Sequence, residues 1–121
     1  MGTRAVYTFI DQGNRHSVYK HYDGYPRWGC QFIANTLPLA WPLPRFEADE
    51  FAAAFVAANK KQAGDIRLTT GPEAHGDLAY RYEIRCPGGR IHVRIYGCAH
   101  DDQPIFEGTL EDAQQFASTF H

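Results

Sequence analysis

Residues 78–96, LAYRYEIRCPGGRIHVRIY, decide the fold. Apolar and polar side chains alternate on both sides of a central glycine pair, which is the pattern of two strands that each bury one face. A two-residue turn at the glycines pairs Ile84 with Val93 and keeps the apolar side chains on one face, whereas a three-residue turn places Ile84 opposite a histidine. The sequence therefore predicts an antiparallel hairpin in the two-residue register, with Glu83 across from Arg94 on its polar face.

A second hairpin is predicted near the N-terminus. Aromatic and β-branched residues fill positions 3–10 and 17–22, and the DQGN segment between them is rich in turn-forming residues. If the turn is centred on its Gly-Asn pair, Phe9 faces Val18 and Arg4 faces Asp23. We therefore expect an ion pair between Arg4 and Asp23.

Helices and further strands complete the expected fold. Proline at a first helical position, apolar residues at helical spacing and a near capping box from Thr109 to Asp112 predict three helices. The helices are expected at residues 26–37 and 46–61 and after residue 109, and short strands at 66–70 and 104–107. This order predicts one α+β domain spanning residues 1–121, with an antiparallel sheet of four to six strands and about three helices packed on one face.

Composition limits the classes of function. The chain has 121 residues, 44% of them apolar and 14% aromatic, with twelve basic and fourteen acidic side chains and a net charge of -2. This balance favours a folded protein and disfavours binding to extended nucleic acid, which usually needs a broad cationic surface. The three cysteines, Cys30, Cys86 and Cys98, show neither the spacing of a disulfide framework nor that of a zinc motif. From the pattern of apolar and basic residues we expect neither a signal peptide nor a membrane-spanning segment. We expect a soluble protein of the cytosol, without a membrane partner.

Three segments together resemble a family of small, largely uncharacterised proteins of phages and prophages. They are GTRA at residues 2–5, H-x-DGYP at residues 21–26, and HGD at residues 75–77 followed by Y-x-YEI at residues 80–84. The resemblance covers most of the chain. It implies a phage or mobile-element setting, in which small proteins often neutralise a host defence component, either a protein complex or a nucleotide signal. It implies no reaction and no catalytic residue.

The same segments supply the candidate binding residues. An arginine can hold an anion bidentately, and aromatic side chains on a loop can stack on a base or anchor an interface. We expect the turn at residues 23–28 and the loop at residues 75–77 to line one concave site. The competing structural interpretation assigns Asp23 to a turn and Trp28 to the core. The residues expected to bind a ligand or partner are Arg4, His21, Asp23, Tyr25, Trp28, His75 and Asp77.

Two H-x-D pairs leave a metal-dependent enzyme as an alternative. His21 with Asp23 and His75 with Asp77 offer two imidazoles and two carboxylates, which would suit zinc, manganese or iron. Aspartate is also favoured in turns because it bonds nearby backbone N–H groups, and this structural role is the more frequent one. Cys30 lies near a helix start, where the pKa of a thiol can fall, but no motif places a histidine beside it.

Three hypotheses follow. The first is a non-enzymatic binding protein without a cofactor, whose partner is a host protein complex or a small nucleotide-like ligand. The second is the metal-dependent enzyme. The third is a structural homo-oligomer, since sheet edges and aromatic side chains also build homodimers.

Overall fold

A central six-stranded sheet organises the molecule. The computed structural model describes residues 3–97 and 102–120. The elements in chain order are β1 (Ala5–Ile10), β2 (Arg15–Lys20), α1 (Pro26–Thr36), α2 (Ala48–Asn59), β3 (Ile66–Thr69), β4 (Tyr80–Arg85), β5 (His92–Tyr96), β6 (Phe106–Thr109) and α3 (Leu110–Thr119).

The strands lie in the order β3-β2-β1-β4-β5-β6. Four of the five neighbouring pairs are antiparallel, and β1 pairs with β4 in parallel. The predicted α+β class with a four- to six-stranded sheet and three helices is confirmed. The parallel pair at the centre was not predicted, because it joins two strands that are distant in sequence and leaves no local signal.

The β4–β5 hairpin has the predicted register. Ile84 pairs with Val93, and Glu83 pairs with Arg94. The left-handed backbone at Gly88, with φ 63° and ψ 20°, is one that glycine adopts without strain. The last paired residues before the turn are Arg85 and His92, so the connection between β4 and β5 is longer than the predicted two residues. The centre of the connection still lies at the glycine pair, as predicted.

The β1–β2 hairpin differs from the prediction by two residues. Phe9 pairs with His16, where the sequence analysis expected Val18. A shift of two keeps every side chain on its predicted face, because side chains alternate with a period of two. What changes is which residues lie opposite one another.

The Asp11 side chain explains the shift. Its carboxylate accepts hydrogen bonds from the backbone N–H groups of Gly13 and Asn14, both at 2.9 Å, and this closes a four-residue loop. The turn is therefore centred one residue earlier than predicted. In this register Arg4 is no longer opposite Asp23, and the ion pair of Arg4 among the described residues is with Asp77. The predicted Arg4–Asp23 pair is wrong.

All three α-helices pack on one face of the sheet. Alternate residues of the strands contribute to a single buried cluster with the helices. Its largest fully buried side chains from the strands and from α1 and α2 include Tyr7, Phe9, Tyr82, Phe51 and Phe55. The opposite face carries no α-helix within the described residues, and we call it the helix-free face.

The predicted third helix begins as expected. The Thr109 side chain accepts a hydrogen bond from the backbone N–H of Asp112 at 3.2 Å, so Thr109 caps α3. None of the helices in the described part of the chain is long and apolar enough to span a bilayer. Cys30 and Cys86 are free thiols. Cys98 lies outside the described residues.

Candidate functional site

The helix-free face carries a group of arginines. Because side chains alternate along each strand, the residues that do not enter the core project from this face. Five arginines have contacts there, and they come from the chain before β1 and from β3, β4 and β5. We call them the arginine face: Arg4, Arg67, Arg81, Arg85 and Arg94.

Glu83 lies at the centre of three of these arginines. Its carboxylate oxygens are 3.4 Å from Nη1 of Arg81, 3.8 Å from Nη2 of Arg85 and 3.9 Å from Nη1 of Arg94. Arg94 also donates from Nε to Glu107 at 2.8 Å. Glu83 is mostly buried, so the guanidiniums surround a carboxylate that is itself poorly accessible to solvent. Arg85 and Arg94 each have more than 40% of the side chain exposed, so these two arginines can also contact an anionic partner.

Two guanidiniums of this face lie over tyrosine rings. The Arg81 guanidinium is 3.6 Å from the centroid of Tyr96, and that of Arg67 is 4.7 Å from the centroid of Tyr19. Such stacking holds a planar guanidinium in place. These two side chains therefore lose less conformational entropy on binding an anion than the side chain of an unsupported arginine loses.

Tyr19 brings two of the predicted histidines together. Its hydroxyl is 2.8 Å from Nδ1 of His21, and the His75 ring stacks on the Tyr19 ring with centroids 4.5 Å apart. Nε2 of His75 is also 2.8 Å from Oγ1 of Thr69 on β3. Burial raises the pKa of the Tyr19 phenol, so at neutral pH the hydroxyl is protonated.

Arg4 joins the loop at residues 75–77 to β1. Its guanidinium forms an ion pair with Asp77, and its carbonyl accepts a hydrogen bond from the backbone N–H of Ala79 at 2.9 Å. The buried Nε of Arg4 has no hydrogen-bond partner among the described residues. Four of the seven predicted residues, Arg4, His21, His75 and Asp77, are thus held at one end of the helix-free face.

The turn at residues 23–28 is held by backbone contacts. Asp23 has a positive φ of 59°, and the next residue, Gly24, donates from its backbone N–H to the carbonyl of Thr3 at 2.7 Å. The Tyr82 hydroxyl donates to the Gly24 carbonyl at 2.6 Å. A Cβ at Gly24 would lie 2.6 Å from the Cβ of Ala5, so this position requires glycine for close approach to β1.

Tyr25 and Trp28 belong to a different surface. Together with Tyr80 and Ser118 they line a cavity of about 710 Å³ between the start of α1 and the end of α3. Trp28 is 42% exposed, so the competing structural interpretation that assigned it to the core is wrong. This cavity lies on the helix side of the sheet and has no lining residue from the loop at residues 75–77.

The two predicted segments therefore lie at the same end of the sheet but on opposite faces. None of the cavities described for residues 3–97 and 102–120 is lined by both segments. The reason is the path of the chain, because residues 23–28 leave β2 toward α1 in the helix layer, whereas His75 folds back onto Tyr19 on the other side.

The two H-x-D pairs do not converge. Within residues 3–97 and 102–120, no three histidine, cysteine, aspartate or glutamate side chains are close enough to hold a metal ion. His21, His75 and Asp77 are each engaged with a protein partner, namely Tyr19, Thr69 and Arg4.

Cys30 is not an activated nucleophile. It is fully buried, and burial raises the pKa of its thiol to about 12. The expectation that its position near a helix start could lower this pKa is wrong, because desolvation of the thiolate outweighs the helix dipole.

Four members of the arginine face, Arg67, Arg81, Arg85 and Arg94, are absent from the predicted binding residues. Arg81, Arg85 and Arg94 were visible as the polar half of the β4–β5 alternation, and Glu83 was interpreted only as the cross-strand partner of Arg94. These arginines become visible when each charged residue is assigned to one face of the sheet. Among the described residues, the helix-free face carries the five arginines and the acidic residues Asp77, Glu83 and Glu107. The whole chain, in contrast, has more acidic than basic residues.

Comparison of the chain with known protein families, with curated proteins and with solved structures finds no match.

Proposed function

We propose that this protein is a non-enzymatic binding protein whose arginine face holds an acidic surface of a partner protein. The observation that carries the proposal is the sharing of the Glu83 carboxylate by three guanidiniums. Positive charge gathered on one face of a chain with net charge -2 favours encounter with a negatively charged surface through that face. Arginine is also among the residues most enriched at the centres of protein interfaces.

The spread of the arginines favours a protein surface over a nucleotide-like ligand. Arg67 on β3 and Arg94 on β5 are separated by four strand spacings, which is about 19 Å at the usual distance between strands. A compact ligand would need its cationic partners to converge on one cavity, as ligand pockets do. The described cavities lie on the helix side or at the turn ends of the sheet, and none of them is lined by more than one arginine of this face.

The biological setting belongs to the same proposal. The resemblance of the GTRA, H-x-DGYP and HGD segments to phage and prophage proteins supports a protein that acts in the host cytosol on a host defence component. Occupying an acidic patch that the host protein needs for its own interactions would inhibit it without any chemical step.

Affinity capture with matched charge variants tests the binding surface. The wild type, an Arg85→Glu/Arg94→Glu variant and a Lys60→Glu/Lys61→Glu control would each be used to capture proteins from a bacterial host lysate. The two variants change the net charge equally, but the lysines follow α2 and lie outside the arginine face. We expect an acidic partner to be retained by the wild type and the lysine control and lost with the arginine variant. Equal retention by the arginine variant contradicts the proposal.

Titration of the captured partner tests the absence of turnover. A binding protein inhibits in proportion to its amount, so the partner's activity should reach its minimum at a fixed molar ratio and should not change with longer incubation. Complete inactivation by a small fraction of one equivalent, increasing with time, would support the metal-dependent enzyme instead.

A further inference from the structure

The β3 strand leaves one edge of the sheet open. β3 pairs with β2 on one side, and no described strand lies on its other side. Leu68 is 85% exposed, the most exposed large apolar side chain of the described residues. A leucine in this position would become buried if another strand were added to the edge.

The backbone of this edge is available for pairing. The N–H of His21 donates to the carbonyl of Asp65 at 2.8 Å, which makes these two residues a hydrogen-bonded pair. Because hydrogen-bonded and non-hydrogen-bonded pairs alternate along an antiparallel ladder, the N–H and C=O groups of Ile66 and Leu68 point away from β2. These groups can therefore bond a further strand.

The side chains of β3 fit a second copy of the same strand in one antiparallel register. With Leu68 opposite Leu68 of the second copy, each Arg67 lies opposite a Thr69, and the outward-pointing groups of Leu68 bond each other across the two-fold axis. The register shifted by one residue in each strand would place Arg67 directly opposite Arg67, which like charges disfavour. The register centred on Leu68 is therefore self-complementary and avoids opposing like charges.

A groove beside Leu68 completes the complementarity. A cavity of about 420 Å³ lies between α2 and the β2–β3 edge, and its lining includes Ala52, Ala53 and Val56 of α2 together with Leu68. Leu68 and this apolar part of α2 are on the same face of the sheet. In the Leu68-centred register the two leucines meet between the two α2 helices, so both copies cover this groove.

From these contacts we infer that the protein forms a two-fold symmetric homodimer through β3, which extends the sheet across both copies. Both sets of helices then lie on one side, and the two arginine faces form one continuous surface on the other. A partner with repeated acidic patches would meet two equivalent sites. The dimer does not depend on the proposed partner, since its contacts are those of the edge and the groove alone.

Sedimentation equilibrium of the full chain tests the dimer. The wild type should show a mass of twice 13.7 kDa at high concentration. Leu68→Glu should be a monomer throughout, with at least a tenfold weaker association and an unchanged circular dichroism spectrum, because Leu68 is exposed in the monomer. Leu39→Glu, at another exposed leucine in the connection between α1 and α2, should remain dimeric. A monomeric wild type, or equal association of Leu68→Glu and wild type, overturns the inference.

Disulfide formation tests the register. In a background with Cys86 and Cys98 replaced by serine, Leu68→Cys should oxidise to a cross-linked dimer, since residues opposite each other in a hydrogen-bonded pair have Cα atoms about 5.5 Å apart. Arg67→Cys should cross-link much more slowly, because its direct partner is Thr69 of the second copy. Faster cross-linking at position 67 than at position 68 would overturn the Leu68-centred pairing.

Discussion

Replacing Tyr82 by phenylalanine removes one hydroxyl from the centre of the fold. The Tyr82 side chain is fully buried, and its hydroxyl donates to the Gly24 carbonyl at 2.6 Å. This hydrogen bond fixes the turn that carries Asp23 in its left-handed conformation. Tyr82→Phe leaves the buried Gly24 carbonyl without this donor, and such a loss reduces the free energy of unfolding by about 1–3 kcal/mol.

Tyr7 provides the matched control. Its ring is also fully buried and stacks on the Tyr82 ring, with centroids 4.5 Å apart and planes inclined by 5°. Its hydroxyl has no hydrogen-bond partner among the described residues. Tyr7→Phe therefore removes a desolvated polar group and no hydrogen bond, so we expect the stability to be unchanged or to rise by about 1 kcal/mol.

Urea denaturation of the wild type and the two variants measures the contrast. At equal m-values, the midpoint of Tyr82→Phe should fall and that of Tyr7→Phe should not. For a domain of this size, 1 kcal/mol corresponds to about 3–5 °C in Tm, so a thermal scan gives an independent reading. Equal destabilisation by both substitutions, or none by Tyr82→Phe, refutes the assignment of the turn's anchor to the Tyr82 hydroxyl.

Two further predictions concern buried groups. The ammonium of Lys20 is 2.6 Å from the Asp65 carboxylate, and both side chains are only 4% exposed. Asp65→Ala leaves the buried ammonium unpaired, so it should reduce the free energy of unfolding by about 3–5 kcal/mol. In the same urea titration, the double substitution Lys20→Met/Asp65→Leu should recover most of this loss. No recovery would show that the charges are not coupled. In a Cys98→Ser background at pH 8, iodoacetamide should modify Cys86 and leave Cys30 unmodified until the protein unfolds. The reason is that burial raises the pKa of the Cys30 thiol to about 12. Peptide mass analysis would identify the modified cysteine. Modification of Cys30 at the rate of an exposed thiol would contradict its burial.

Local patterns were sufficient for the fold class and for the β4–β5 register. There, unbroken alternation and a central glycine pair act together, and only one register leaves a single apolar face. The β1–β2 register depends instead on how one side chain, Asp11, closes the loop, and the composition of the turn does not reveal which backbone groups it will bond. The parallel pairing of β1 with β4 was invisible because it depends on packing between distant segments.

The candidate site was only partly predictable for a related reason. His21 and His75 belong to separate motifs, and no local pattern indicates that Tyr19 brings them together. Tyr25 and Trp28 were grouped with them because they are near in sequence, yet they lie on the other face of the sheet. Charge counted over the whole chain concealed the arginines, since folding separates basic from acidic side chains onto different surfaces.

The location of anion binding can be measured directly by nuclear magnetic resonance. Isotope-labelled protein would be titrated with a hexaglutamate peptide, and the amide shifts would be followed for each residue. We predict that the largest shifts occur at Arg81, Arg85 and Arg94 and that they disappear as salt is added, because the contact is electrostatic. Largest shifts at Trp28 and Ser118, or no shift on the arginine face, would contradict the central claim that this face binds an acidic partner.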